Sequence, residues 1–403
     1  MDVFIARQPI FNKRKQVFAY ELLFRVGNAN AYAETDGDRA TSNVISDSML
    51  LFGIDTLTRG RKAFINFTRN LLLDETATTL PKDTLVIEIL ENIAPEKGIV
   101  NACRKLKQLG YTLALDDFVF EERYRPLVEL ADIVKVDYLL SSPDERRNII
   151  DLCKPSNVRF LAEKVETEED FNEAAGLGYS YFQGYFFSKP DILSTKDIPS
   201  GKLSYLNILH ELNLPEMDFN RIETAIKRDV SISFKLLKFI NSAFFSFPRQ
   251  IHSIKQALLM LGIVEIRKWV SLIIMKGIGE DKTDELMVTS VVRARICELI
   301  GQELNLRERS SDLFFMGMFS LIDTFFSRPM EEMLESLPLA EETKGALLGE
   351  AGPFRNILDL VRAYEQADWA KVTAMCDEMK LSHLKLADFY VASIEWANNL
   401  VIP

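Results

Sequence analysis

The sequence predicts two domains of different class: an α/β half closed into an eight-stranded barrel whose first strand runs antiparallel, followed by an all-α half. Three observations carry this expectation. In the first half, short β-branched and aromatic runs alternate with amphipathic stretches, the rhythm of a largely parallel sheet covered by helices. The first two runs lie only about ten residues apart, too close for a parallel crossover, so they must form an antiparallel hairpin. Beyond about residue 200 the strand rhythm stops and long helical periods take over. A length of 403 residues accommodates two such domains. The boundary is placed at 197/198, giving a barrel over 1–197 and a helical domain over 198–403.

Taken in order, the strand runs are VFIAR (3–7), FAYELLFR (18–25), KAFINF (62–67), LVIEIL (85–90), TLALDDF (112–118), IVKVDYL (133–139), RFLAEKV (159–165) and YFQGYFF (181–187). Segments such as 101–110 and 168–178 supply the intervening helices. At roughly 200 residues this is a trimmed, modified TIM-like barrel. In the second half, 204–213, 219–228, 231–241, 253–276, 284–304, 311–325, 339–349, 354–365, 368–378 and 382–400 suit helices. Pro215, Pro248, Pro329, Pro338 and Pro353 fall between them as breakers.

Composition narrows the function classes. A net charge of −11 argues against a polymer-scale nucleic-acid binder or a protein held to anionic membrane, since both need a basic face. Cys103, Cys153, Cys297 and Cys376 are scattered, so thiolate zinc and dithiol redox sites lack their spacing. The N-terminus carries no export pattern, and the longest apolar stretch, 257–278, is interrupted by Glu265, Arg267 and Lys268. A cytoplasmic location without a membrane span is the expectation.

The informative anomaly is polar residues inside the strand runs or at their ends: Glu21, Asn66, Glu88, Asp116, Asp117, Lys135, Asp137, Glu163, Glu166 and Gln183. A single buried carboxylate is costly unless paired or metal-bound. A ring of them converging at the C-terminal mouth of a barrel marks a site. Carboxylate and amide oxygens without histidine or cysteine suit the hard cations Mg²⁺ or Mn²⁺. The adjacent Asp116 and Asp117 could serve two neighbouring ions, as in phosphodiester displacement.

The ordered motifs QPI (8–10), ELLFR (21–25), INF (65–67), EILE (88–91), DDF (116–118), KVD (135–137), AEKVET (162–167) and QGYFFSKP (183–190) resemble the EAL domain, a family of bacterial phosphodiesterases that linearise cyclic di-GMP. The resemblance implies a metal set of Glu21, Asn66, Glu88, Asp116, Asp117 and Glu163, holding two Mg²⁺ or Mn²⁺ ions. It implies that Lys135 and Glu163 orient and deprotonate the attacking water. It also implies that Gln8, Arg25, Asp137, Glu166 and Gln183 face the ligand, and that Glu91 anchors the loop after the fifth strand. A homodimer through the barrel follows from the same likeness. The sequence departs from the family at the signature triplet, Glu-Leu-Leu here. It departs again after the paired aspartates, where DDFVFEERYRP replaces a glycine-rich loop.

The helical half, through LLKFINSAFF (236–245) and SIKQALLMLGIVEIRKWV (253–270), resembles the HDOD domain, a degenerate relative of HD phosphohydrolases. None of His210, His252 and His383 precedes an aspartate, so the histidine-aspartate pair of HD enzymes is missing. A non-catalytic regulatory module that binds a protein partner is the expectation for this half. Three readings stand for the whole chain: a metal-dependent cyclic di-GMP phosphodiesterase, an inactive cyclic di-GMP sensor, and a protein-interaction scaffold.

Overall fold

A computed structural model describes residues 3–26, 53–74, 76–119, 121–153, 156–188, 200–214, 219–242, 245, 247, 250–279, 282–335 and 337–400. The chain divides into two compact units: residues 1–189 with 362–391, and residues 190–361 with 392–403.

The first unit holds a closed barrel in the order β1 to β8. Its strands are β1 (Val3–Asn12), β2 (Val17–Val26), β3 (Lys62–Phe67), β4 (Leu85–Ile89), β5 (Thr112–Leu115), β6 (Ile133–Asp137), β7 (Arg159–Glu163) and β8 (Tyr181–Gln183). The expected hairpin is present: β1 runs antiparallel to β2, with Gln8 opposite Glu21. β1 also closes the barrel against β8 in antiparallel register, whereas β2 through β8 pair in parallel.

Strand ends differ from the sequence expectation. β5, β6 and β8 stop sooner than the apolar runs suggested. Phe118, Tyr138 and Phe186, which extended those runs, are buried beneath the mouth loops instead of lengthening the strands. Single backbone bonds carry the ladder just past the strand ends, as in Phe118 N–H to Lys135 O at 3.0 Å and Tyr138 N–H to Glu163 O at 3.0 Å. Gly184, after β8, has φ of 144°, and a Cβ there would lie 2.1 Å from the Val165 carbonyl oxygen. Only glycine allows the backbone after β8 to approach the β7 loop so closely.

The barrel interior is layered. One buried residue from each strand, Ile10, Ala19, Phe64, Val86, Ala114, Ile133, Leu161 and Tyr181, forms a continuous apolar plug. Strand side chains alternate faces, so the residue two further toward the mouth also points inward. That simple step generates the site described below.

Residues 362–391 complete the first unit. The ring of Phe4 on β1 packs at 5.8 Å from both Trp369 and His383. Tyr364, fully buried, lies 5.3 Å from Trp369 and 4.7 Å from Tyr390.

The second unit is helical, as expected. The predicted helix over 253–276 is observed at Ile254–Ile278, with a kink at Gly262, whose φ of 80° is non-helical. The segment expected as one helix over 311–325 is two, Ser310–Phe319 and Ile322–Phe326. Met330–Glu335 adds a helix that the periodicity did not indicate. Helices Asp284–Glu303 and Ser310–Phe319 approach so closely that a Cβ on Gly317 would lie 2.2 Å from Arg293 O. Among the described residues, no helix is long and apolar enough to cross a membrane. All four cysteines are buried and none is in a disulfide.

Candidate active site

Moving two residues mouthward from each residue of the apolar plug gives Gln8, Glu21, Asn66, Glu88, Asp116, Lys135, Glu163 and Gln183. On antiparallel β1 the step runs backward, from Ile10 to Gln8. Every strand therefore contributes one polar group to a single ring. The period-two alternation that fills the plug with hydrocarbon places this ring directly above it.

Lys135 sits at the centre of the ring and is 1% exposed. Its Nζ lies 2.6 Å from Glu88 Oε1, 2.6 Å from Asp116 Oδ1, 2.8 Å from Glu163 Oε1 and 3.6 Å from Glu21 Oε1. One cation thus faces four carboxylates. Burial pushes the carboxyls of Glu88 and Glu163 well above the usual carboxylate range, with Lys135 opposing that shift. For Lys135 burial acts to lower the ammonium pKa, but the carboxylates outweigh it and hold the group firmly charged.

The rim of the ring is organised by amides. Gln183 Nε2 donates to Glu21 Oε2 at 2.5 Å and to Gln8 Oε1 at 3.0 Å. Asn66 Nδ2 donates to Glu21 Oε1 at 3.4 Å. These bonds turn the acceptor oxygens of both amides away from Glu21. Asn66 Oδ1, Gln183 Oε1, Glu88 Oε2 and Asp117 Oδ1 are left buried, with no hydrogen-bond partner among the described residues. Buried oxygens in this state cost free energy unless something else satisfies them.

Above the ring opens a cavity of about 750 Å³, a volume typical of small-molecule sites. Gln8, Glu21, Asn66, Asp116, Asp117, Glu163, Glu166 and Gln183 line it, as does Glu91. Lys135 and Glu88 lie below its floor. Asp137, one inward step further along β6, is engaged elsewhere. Its carboxylate accepts from Leu139 N–H at 2.8 Å and Leu140 N–H at 2.9 Å and pairs with Lys164. Burial acts to raise its pKa, but the hydrogen bonds from Lys164 and these amides outweigh it and hold the carboxyl below the usual aspartate range. The Arg25 side chain lies outside the described residues; its backbone is paired opposite Phe4.

The replaced loop after Asp117 is held by aromatic and polar contacts rather than glycine turns. Asp117 itself has φ of 40°, in the left-handed region. Phe118 and Tyr124 pack edge to face at 6.1 Å, and the Tyr124 hydroxyl donates to the Glu91 carbonyl at 3.4 Å. Thus Glu91 meets this loop through its backbone. Sequence reasoning did not single out Asn92, Lys164, Tyr185 or Gln366, which also line the cavity. Lys164 lay within a quoted motif, while Gln366 is far away in sequence and had no local signal.

The donor chemistry suits a hard cation: carboxylate and amide oxygens, several unsatisfied, with no sulfur or imidazole. Among the described residues no three or more Asp, Glu, His or Cys groups form a ready-made metal cage. The Lys135 ammonium lies at the point on which Glu21, Glu88, Asp116 and Glu163 converge.

The EAL domain is matched over residues 52–190 and the HDOD domain over 198–348. The "Uncharacterized protein YuxH" of Bacillus subtilis is 38% identical over 100% of this chain and 99% of its own length. The chain belongs to the family of EAL–HDOD proteins. "Cyclic di-GMP phosphodiesterase CdgJ" of Vibrio cholerae is 35% identical over 98% of this chain and 93% of its own. Among solved structures, "PaMucR Phosphodiesterase, c-di-GMP complex" aligns with 47% of this chain and 96% of its own at 20% identity, with a TM-score of 0.41. In this EAL–HDOD protein six of the eight ring residues, from Asn66 to Gln183, fall in the span matched as EAL, and Gln8 and Glu21 precede it. The two histidines of the second unit, His210 and His252, are both exposed and adjoin no aspartate in sequence.

Proposed function

We propose that the chain is a metal-dependent phosphodiesterase that hydrolyses cyclic di-GMP to the linear dinucleotide pGpG. The observation that carries this reading is the ring itself: eight inward polar groups, one per strand, with four carboxylates against one ammonium. Unsatisfied oxygens beneath a cavity of this size fit cation-assisted phosphate chemistry better than they fit packing.

EAL-family phosphodiesterases for cyclic di-GMP are metal-dependent. Glu21, Asn66, Glu88, Asp116, Asp117 and Glu163 would hold Mg²⁺ or Mn²⁺, two ions in all. When bound, these would neutralise phosphate charge and lower the pKa of the attacking water. The chain supplies the rest. Lys135 keeps the surrounding carboxylates oriented and balances charge from below the floor. Glu163, at the cavity wall beside Lys135, accepts the proton of the water. Gln183 fixes Glu21 and Gln8 through its amide, so the rim does not rearrange as substrate enters. Gln8, Arg25 and Glu166 face the dinucleotide.

The helical domain acts as a non-catalytic regulatory module that docks a protein partner, and the barrel supports a homodimer. Four buried cysteines outside any disulfide and a nucleotide messenger substrate favour a cytoplasmic setting. A chromatographic assay with cyclic di-GMP and Mg²⁺ or Mn²⁺, paired with calorimetric binding in Ca²⁺, separates the three readings. Product supports the enzyme, binding without product would make the chain a sensor, and neither would leave a scaffold.

A further inference from the structure

The C-terminal segment reaches the mouth of the barrel. Within the first unit, Tyr364, Trp369, His383 and Tyr390 form an aromatic cluster with Phe4, on the stretch of β1 that passes the mouth. Edge-to-face and tilted ring contacts of this kind fix orientation as well as burying area. They hold the junction of helices Pro353–Glu365 and Trp369–Met379 against the barrel.

That junction is short and firmly tied. Gln366 N–H donates to Arg362 O at 3.1 Å, Ala367 N–H to Tyr364 O at 3.0 Å, and Asp368 N–H to Ala363 O at 3.0 Å. The Asp368 carboxylate then caps the next helix by accepting from Lys371 N–H at 3.1 Å. Ala367 takes a φ of 55°, a left-handed conformation that alanine adopts only when its surroundings impose it. A turn so constrained presents the preceding side chain in a fixed direction.

Gln366 is that side chain. It is exposed and lines the cavity together with Gln8, Glu21 and Gln183. Its backbone is bonded within the turn, but its side-chain amide makes no hydrogen bond to any described residue. The cavity floor is acidic and suited to cations, and through them to phosphate, whereas this rim position offers a neutral group carrying both a donor and an acceptor. A nucleobase edge has the same pairing of donors and acceptors.

We infer that Gln366 is a specificity residue of the same site, its amide hydrogen-bonding a guanine edge of the bound dinucleotide at the β1 side of the mouth. This inference rests on the cyclic di-GMP reading. It adds that a segment distant in sequence, beyond the span matched as HDOD, contributes to substrate recognition.

The test is steady-state kinetics on the full chain with cyclic di-GMP and Mn²⁺, comparing the parent, Gln366→Ala and Gln366→Glu. Losing one neutral hydrogen bond raises KM by roughly three- to tenfold while leaving kcat unchanged. Gln366→Glu removes the donor and adds negative charge near phosphate, so its KM rises at least as far. In competition, Gln366→Ala also loses discrimination against cyclic di-AMP, which a merely structural role would not alter. An unchanged KM in both variants, or a fall in kcat with KM constant, overturns the inference while leaving the phosphodiesterase reading intact. A parent chain that neither binds nor cleaves cyclic di-GMP overturns both.

Discussion

Among the described residues two lysines, Lys135 and Lys268, are buried among carboxylates, and they differ in a way that separates a site from a strut. In the helical unit, Lys268 lies 2.5 Å from Glu298 and 3.0 Å from Glu265, and Arg295 pairs with Glu298 as well. Two cations meet two anions, and no Glu298 or Glu265 oxygen is left buried without a partner among the described residues. In the barrel, Lys135 is the one cation among the described residues within ion-pair distance of Glu21, Glu88, Asp116 and Glu163, and unsatisfied oxygens remain around it. Balanced, satisfied buried charge is what packing tolerates. An excess of one sign with open acceptors is an arrangement that awaits a ligand.

Substituting each lysine by methionine gives the largest contrast. Lys135→Met is expected to cut turnover by about 10³-fold, because it strips preorganised charge from the reacting centre. Lys268→Met is expected to lose about 3 kcal/mol of stability, since Glu298 is left buried beside one fewer cation. Its turnover per folded molecule stays unchanged. Denaturant unfolding and product chromatography on both variants check the pair. Equal effects on activity would erase the distinction.

A smaller but more diagnostic effect concerns pH. Burial raises the carboxyls of Glu88 and Glu163. A carboxyl raised in the folded state contributes its stability at pH below its unfolded value and loses that contribution as pH climbs through its folded value. The chelated protein should therefore lose Tm as pH rises above the ordinary glutamate range. Adding Mg²⁺ or Mn²⁺ restores it, and the gain grows with pH because the ligands must shed protons to bind. Thermal unfolding with and without EDTA measures this. A metal-induced gain that is flat with pH would contradict the account. No comparable metal response is expected from the Lys268 cluster.

Gly184→Ala should cost about 3 kcal/mol, because its Cβ would overlap the Val165 carbonyl and the clash is with backbone that cannot swing aside. The smallest effect belongs to Asp137→Asn. Its partner Lys164 is half exposed, so the loss should stay below about 1 kcal/mol. KM should hold if Asp137 serves its own turn, whereas a clear rise would return it to the ligand-facing set.

The barrel and most of its ring were legible because strand periodicity is local. Once Val-Ile-Glu-Ile-Leu and Leu-Ala-Leu-Asp-Asp are strands, alternation dictates which carboxylates point inward. Strand ends were not legible, since Phe118 and Tyr138 are as apolar under a loop as within a strand. The Lys268 pairing was equally hidden, because Glu298 is thirty positions away and on another helix. Gln366 and the aromatic seat of residues 362–391 depend on contacts between distant segments, for which the sequence carries no period or spacing.

The most direct measurement is product formation from cyclic di-GMP by the parent chain and by Glu21→Gln, each with Mg²⁺ and with excess EDTA. Glu21 belongs to the ring, faces the cavity and anchors Gln183 and Asn66. The expected result is linear dinucleotide from the parent with Mg²⁺ alone, and none from the variant or from chelated protein. Undiminished product from Glu21→Gln, or from the parent in EDTA, would contradict the claim that this unbalanced ring is the metal-dependent centre.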